Sequence, residues 1–115
     1  MAGNLILIET KTPEAGGWEE VKATARTHIG INKSIGNATD EIGQGYIYIY
    51  NAGNSSEYTT ANHQTAAIHS DHGLSMSYGG GILKQASTVD GIRIYDSNGG
   101  GNSTGTVSLY GLGEN

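Results

Sequence analysis

Side chains able to do chemistry gather at three places in this chain. Gly45 to Tyr50 reads G-Y-I-Y-I-Y, which sets Tyr46, Tyr48 and Tyr50 at alternate positions. Alternate residues of a strand project from one sheet face, so these three form a band of rings, each with an apolar body and a polar hydroxyl tip. Such a band can stack on sugar rings, pack against a partner chain, or lie beneath a loop of its own domain. The second place is Ala67 to His72, A-I-H-S-D-H, where His69, Asp71 and His72 sit about a turn. A metal site needs three or four ligands converging at bonding distance. Nothing else in the chain marks a further ligand, so the cluster reads as a solvated turn, and no metal or other cofactor is expected. The third place, Asp96-Ser97-Asn98-Gly99, spaces oxygen side chains like the start of a calcium loop, but it lacks the bidentate acid that closes one. It reads as a turn in which Asp96 and Asn98 bond nearby backbone amides.

Catalytic constellations are missing. The chain has no G-x-S-x-G elbow, no phosphate-cradling glycine loop with its lysine, and no H-E-x-x-H pair. No two of its acids are set apart as a general acid and base. It reads as a protein that is not an enzyme, with His28 and His63 as surface or subunit-contact residues.

The elements that must carry the tyrosines are strands. Asn4 to Thr12 is an apolar run passing into alternation, stopped by Pro13 and Gly16-Gly17. Residues 19–27 fit a strand with Val21, Ala23 and Ala25 on one face, although Glu19, Glu20 and Lys22 are helix formers by propensity. Gly45 to Tyr50 has the strongest β-propensity in the chain, with Ile47 and Ile49 opposite the tyrosines. Alternating pieces follow in Tyr58 to Ser70 and in Gly73 to Gln85, the latter divided by Gly79 to Gly81 into two parts. Last come Ile92 with Ile94, and Val107 with Leu109, separated by ten residues from Asp96 to Gly105 that hold no aliphatic or aromatic side chain. That pattern predicts a hairpin with a long loop. The count is about eight strands with turn signals between them, the rhythm of an antiparallel β-sandwich of jelly-roll type. The expected shared core is Ile47, Ile49, Ile92, Ile94, Val107 and Leu109.

Length and composition agree. With 115 residues, a single domain over 1–115 is expected, residues 1–4 forming a flexible arm. Nineteen glycines and one proline suit short strands joined by tight turns. Six basic residues against eleven acidic ones, net charge -5, give no basic patch for a nucleic-acid backbone. Leu5-Ile6-Leu7-Ile8 is too short to span a bilayer, so neither nucleic acid nor membrane is an expected partner. The chain has no cysteine for a disulfide or a thiolate site.

Several of these segments carry a family resemblance. Ile92-Arg93-Ile94-Tyr95, the glycine- and asparagine-rich turn Ser97 to Thr106, and V-S-L-Y-G-L at 107–112 resemble the C-terminal signature of small tailed-bacteriophage virion proteins, with extra glycines in the turn. L-I-E-T-K-T at 7–12, Trp18 to Arg26 and N-A-G-N-S-S-E-Y-T-T at 51–60 are similar to earlier blocks of the same family, with a shortened join between the first two. The resemblance implies a structural protein located on the virion, foremost a capsid decoration or cement protein bound in many copies. The alternative it allows is a receptor- or glycan-binding module at the tip of a tail or head fibre. The chain starts only a few residues before its first strand and shows no heptads or repeats, which favours decoration.

A small core with no disulfide and many glycines needs another source of stability, and association supplies one. Other copies of the chain are therefore expected partners, alongside phage capsid or tail proteins and, on the alternative reading, a host surface glycan. A trimer is the first expectation, by analogy with the family. The expected contact surfaces are an edge strand at Leu5, Ile6, Leu7 and Ile8, and the face of Tyr46, Tyr48 and Tyr50.

Overall fold

The computed structural model describes residues 5–14, 17–32, 35–69, 73–96 and 104–113. Residues 1–4, expected as an arm, lie outside them. The described chain is all-β, with five strands: β1 Leu5–Glu14, β2 Gly17–Arg26, β3 Gly43–Tyr50, β4 Tyr58–His69 and β5 Gly73–Ala86. They form one antiparallel sheet in the order β2-β1-β5-β4-β3. Three neighbouring pairs are consecutive in sequence, and the β1–β5 pairing joins the two hairpins, one of which runs on into β5.

The strand reading of 19–27 holds, because β2 pairs along Leu5 to Glu14 despite its helix-forming residues. Two irregularities interrupt that ladder, and near them Ala25 takes a φ of 55°. Pairing to a neighbour has overridden local propensity, as tertiary contacts often do.

Two expectations about strand position are corrected. Leu5 to Ile8 are not an edge. Leu5 pairs with both Arg26 and Leu83, and Leu7 with both Ala23 and Gly81, so this backbone is bonded on two sides and closed to a neighbour. The edges are β2 and β3. Nor do the three glycines divide Gly73 to Gln85, since β5 runs through them without a break. Glycine weakens a strand alone, but here each of the three is paired to both β1 and β4, which holds it extended.

The C-terminal hairpin is also corrected. Residues 87–96 and 104–113 contain no strand, and the four apolar side chains expected in the core face solvent: Ile92 is 52% exposed, Ile94 49%, Val107 72% and Leu109 82%. The shared core therefore lacks four of its six expected members. Ile47 and Ile49 remain, half-buried on the inner face of β3.

The covered face of the sheet is built mainly from β4 and β5 and is unusually polar. Thr59, His63, Thr65, Ser75 and Ser77 are buried there, with Ala67 and Leu83 as the buried apolar side chains among the described residues. Its cover is the connection between β2 and β3. The Thr65 hydroxyl donates to the Ile31 carbonyl, which fixes the half-buried Ile29 to Asn32 segment across that face. Beyond it, the Gly36 amide donates to the Ile68 carbonyl at 3.0 Å and the Ile68 amide to the Ile42 carbonyl at 2.9 Å, so the loop brackets the end of β4. That loop is closed locally by Glu41, whose carboxylate accepts from the Ala38 amide at 2.8 Å.

Candidate binding face and its groove

The tyrosine band lies where its spacing puts it. Tyr46, Tyr48 and Tyr50 project from the open face of β3, at 53%, 46% and 46% exposure, while Ile47 and Ile49 turn inward. The rings form a contiguous row: Tyr46 and Tyr48 meet edge to face at 5.4 Å between centroids, and Tyr48 and Tyr50 lie tilted at 6.4 Å. Register then sets their neighbours. Tyr46 pairs with Gln64, Tyr48 with Asn62 and Tyr50 with Thr60, and paired residues of an antiparallel sheet share a face. The Tyr46 hydroxyl accordingly donates to Gln64 Oε1 at 2.9 Å, and Asn62 Nδ2 donates to the Tyr50 hydroxyl at 3.5 Å. The phenol tips of Tyr46 and Tyr50 are thus bonded to side-chain amides of β4.

One strand further in, β5 adds what the sequence reading left out. Asn62 pairs with Gly80 and Gln64 with Tyr78, so the glycine triplet meets the middle of this face and Tyr78 stands at its end. The triplet carries no side chain, which leaves a depression of about 320 Å³ lined by Tyr50, Thr60, Asn62, Tyr78 and the backbone of Ala61 and Gly79 to Gly81. Gly80 cannot be replaced cheaply, because an added Cβ would collide with the Ala61 carbonyl. The groove thus has two phenol rings in its walls, one amide beside its floor, and bare backbone beneath. Among the described lining side chains none bears a formal charge, while Glu9 and Lys11 of β1 are the register partners of Gly80 and Tyr78.

The opposite face holds a different kind of cluster. His63, expected as a surface or subunit-contact residue, is 5% exposed within the single chain, a correction that follows from its register between Ile47 of β3 and Gly79 of β5 on the covered side. Neither of its ring nitrogens has a hydrogen-bond partner among the described residues, and the same holds for Ser77 Oγ, Thr59 Oγ1 and Asn32 Oδ1. Burial lowers the His63 pKa from its ordinary 6.5, because the charged ring would lose its hydration.

The remaining sequence candidates do not join either cluster. His69 is the last residue of β4, while Asp71 and His72 lie outside the described residues, as do Ser97, Asn98 and Gly99 of the third candidate. His28 is half-buried and meets the edge of Tyr95 at 6.1 Å, with the Arg93 guanidinium 4.6 Å above the same ring. Compared with protein-family models, with curated proteins and with solved structures, the chain matches none.

Proposed function

We propose that this chain is a structural subunit of a bacteriophage particle, a capsid decoration or cement protein that works as a homo-oligomer, a trimer on family analogy. The observation that carries the oligomeric part is the C-terminal segment. Val107, Leu109, Tyr110 and Leu112 alternate or cluster as a strand would, yet each is at least 72% exposed. A row of apolar side chains in water is unfavourable by about 25 cal/mol for each Å² left uncovered.

The finer fold belongs to the assembled form. On this reading the five-stranded sheet is one layer of a jelly-roll sandwich, and the segments 92–95 and 107–112 become strands of the second layer when they meet a neighbouring copy. The virion role draws its support from the resemblance at 7–12, 18–26, 51–60 and 92–112, and from an all-β antiparallel fold in keeping with it.

Sedimentation of the full chain at micromolar concentration, followed by binding to isolated capsids and isolated tails, tests both parts. A stable oligomer that decorates capsids is the expected result. A monomer that binds neither particle defeats the proposal, and selective binding to tails replaces it with the fibre-tip alternative.

A further inference from the structure

We infer that the outer edge of β3 is the docking site for the C-terminal segment 106–113 of a second copy of this chain, which adds antiparallel as a sixth strand of the sheet. The inference rests on the reading of the chain as a homo-oligomer and names the surface through which its copies meet. It needs neither the virion role nor a particular number of subunits.

A free strand edge is a row of unpaired amides and carbonyls, and proteins guard an edge they do not use with charge, proline or a bulge. The two edges of this sheet differ in that respect. β2 carries Glu19, Glu20, Lys22 and Arg26, its ladder to β1 is twice irregular, and Ala25 stands at positive φ. β3 carries no charge and no proline, and its register to β4 runs unbroken from Gly43 to Tyr50. Among the described strands it touches β4 alone. The Ile68 amide donates to the Ile42 carbonyl, one step ahead of β3 and in the same register. By the alternation of an antiparallel ladder, the even-numbered residues of β3 then turn their backbone groups to β4, while Gly43, Gly45, Ile47 and Ile49 turn theirs outward. The phenol tips of Tyr46 and Tyr50 are bonded on the β4 side, clear of that edge.

The pattern of residues identifies the occupant. From Gly43 to Tyr50 the strand is G-Q-G-Y-I-Y-I-Y, and from 113 back to 106 the chain is G-L-G-Y-L-S-V-T. Laid antiparallel in that register, glycine meets glycine twice, Tyr46 meets Tyr110, Ile47 meets Leu109 and Ile49 meets Val107, the matched aromatic and aliphatic pairs that stabilise neighbouring strands. A period of two sets Val107 and Leu109 beside Ile47 and Ile49 on the covered face, and Tyr110 beside the tyrosine row on the open one. Neither segment brings a charge into the pair, whereas β2 would set its own charges against the incoming strand. Within the single chain 104–113 is exposed throughout and forms no strand, so its own sheet does not take it up. A second copy does so by strand addition. One copy's segment on the next copy's edge is a head-to-tail contact, the kind that closes into rings. A strand at the end of a sheet is also where a sandwich turns over into its second layer, so the pairing places 107–112 at that corner.

The full chain has no cysteine of its own, so single cysteine replacements test this. In the stated register Tyr48 and Ser108 form a non-hydrogen-bonded pair, with Cα atoms about 4.5 Å apart, within the span of a disulfide. Mixing Tyr48→Cys protein with Ser108→Cys protein under mild oxidation should give a disulfide-linked dimer holding one copy of each. Thr24→Cys, exposed on β2, should give no such link with Ser108→Cys. Leu109→Pro, which removes an amide directed at β3, should lose self-association in sedimentation, while Ser108→Pro, whose amide points away, should keep it. Far-UV circular dichroism of each variant separates lost association from lost fold. An oligomer that forms no mixed link overturns the inference and leaves the homo-oligomer standing. Predominant self-linkage of Tyr48→Cys, which means that two β3 edges meet, overturns it as well, and so does a disulfide closed within one chain of the double variant. A monomer in sedimentation overturns both the inference and the homo-oligomer. A mixed link in a protein that binds neither capsids nor tails sustains the inference and defeats the virion role.

Discussion

The Thr65 hydroxyl donates to the Ile31 carbonyl, joining the middle of β4 to a residue 34 positions earlier in the chain. This one bond fixes the β2–β3 connection against a face that has few apolar side chains to hold it otherwise. A valine at 65 keeps the shape but removes the donor, so Thr65→Val should cost about 1 to 3 kcal/mol, the loss of the bond plus the stranding of a sheltered carbonyl. Urea unfolding of the two proteins measures it, and equal midpoints would refute the role given to this bond.

His63 gives stability a pH dependence with a defined sign. Its folded pKa is lowered below 6.5 by burial, so between the two values the unfolded chain binds more protons than the folded one. Stability from this group is therefore complete above about pH 6.5, falls as the pH drops below it, and levels off beneath the lowered folded value. His63→Gln should flatten the part of the urea midpoint's pH profile that lies above the carboxylate range. A variant profile parallel to that of the parent would refute the role given to His63.

Gly80 and Gly53 make a matched pair of substitutions. A methyl group at 80 meets the Ala61 carbonyl, whereas one at 53 meets nothing within 4 Å. Gly80→Ala should then destabilise the sheet by about 1 to 3 kcal/mol, while Gly53→Ala stays within about 0.5 kcal/mol of the parent. Thermal melts of both variants check this, and a neutral Gly80→Ala would mean that β4 and β5 separate more easily than their register implies.

Leu109 is 82% exposed, so Leu109→Asp leaves the five-stranded sheet with every contact it has in the single chain. If that segment is covered by a second copy, the aspartate is forced into an apolar interface and association is lost. Sedimentation should show the variant as a folded monomer with an unchanged far-UV spectrum. Undiminished self-association of the variant would remove the C-terminal segment from the interface.

Much of the secondary structure was legible because strand alternation is local. Tyr46, Tyr48 and Tyr50 face one way and Ile47 and Ile49 the other for the reason that any extended backbone separates odd from even residues. The groove beside the tyrosine band was legible only by half. Its tyrosine band is one strand read along its length, but Asn62, Tyr78 and Gly80 come from β4 and β5, and they share a surface with Tyr50 through a register that no single segment encodes.

By itself the sequence determined the all-β class, the strands now seen as β1 to β4 and most of β5, the tyrosine face, and the need of the C-terminal segments for cover. Tertiary structure alone decided which neighbours each strand found. It set β1 between β2 and β5 and so closed the Leu5 to Ile8 backbone, carried β5 through Gly79 to Gly81, turned His63 to the covered face, and left Ile92, Ile94, Val107 and Leu109 in solvent. The physical reason is that a period of two tells a strand which side chains seek cover, while the cover itself is a long-range choice among several faces and edges, settled by total burial and by paired backbone.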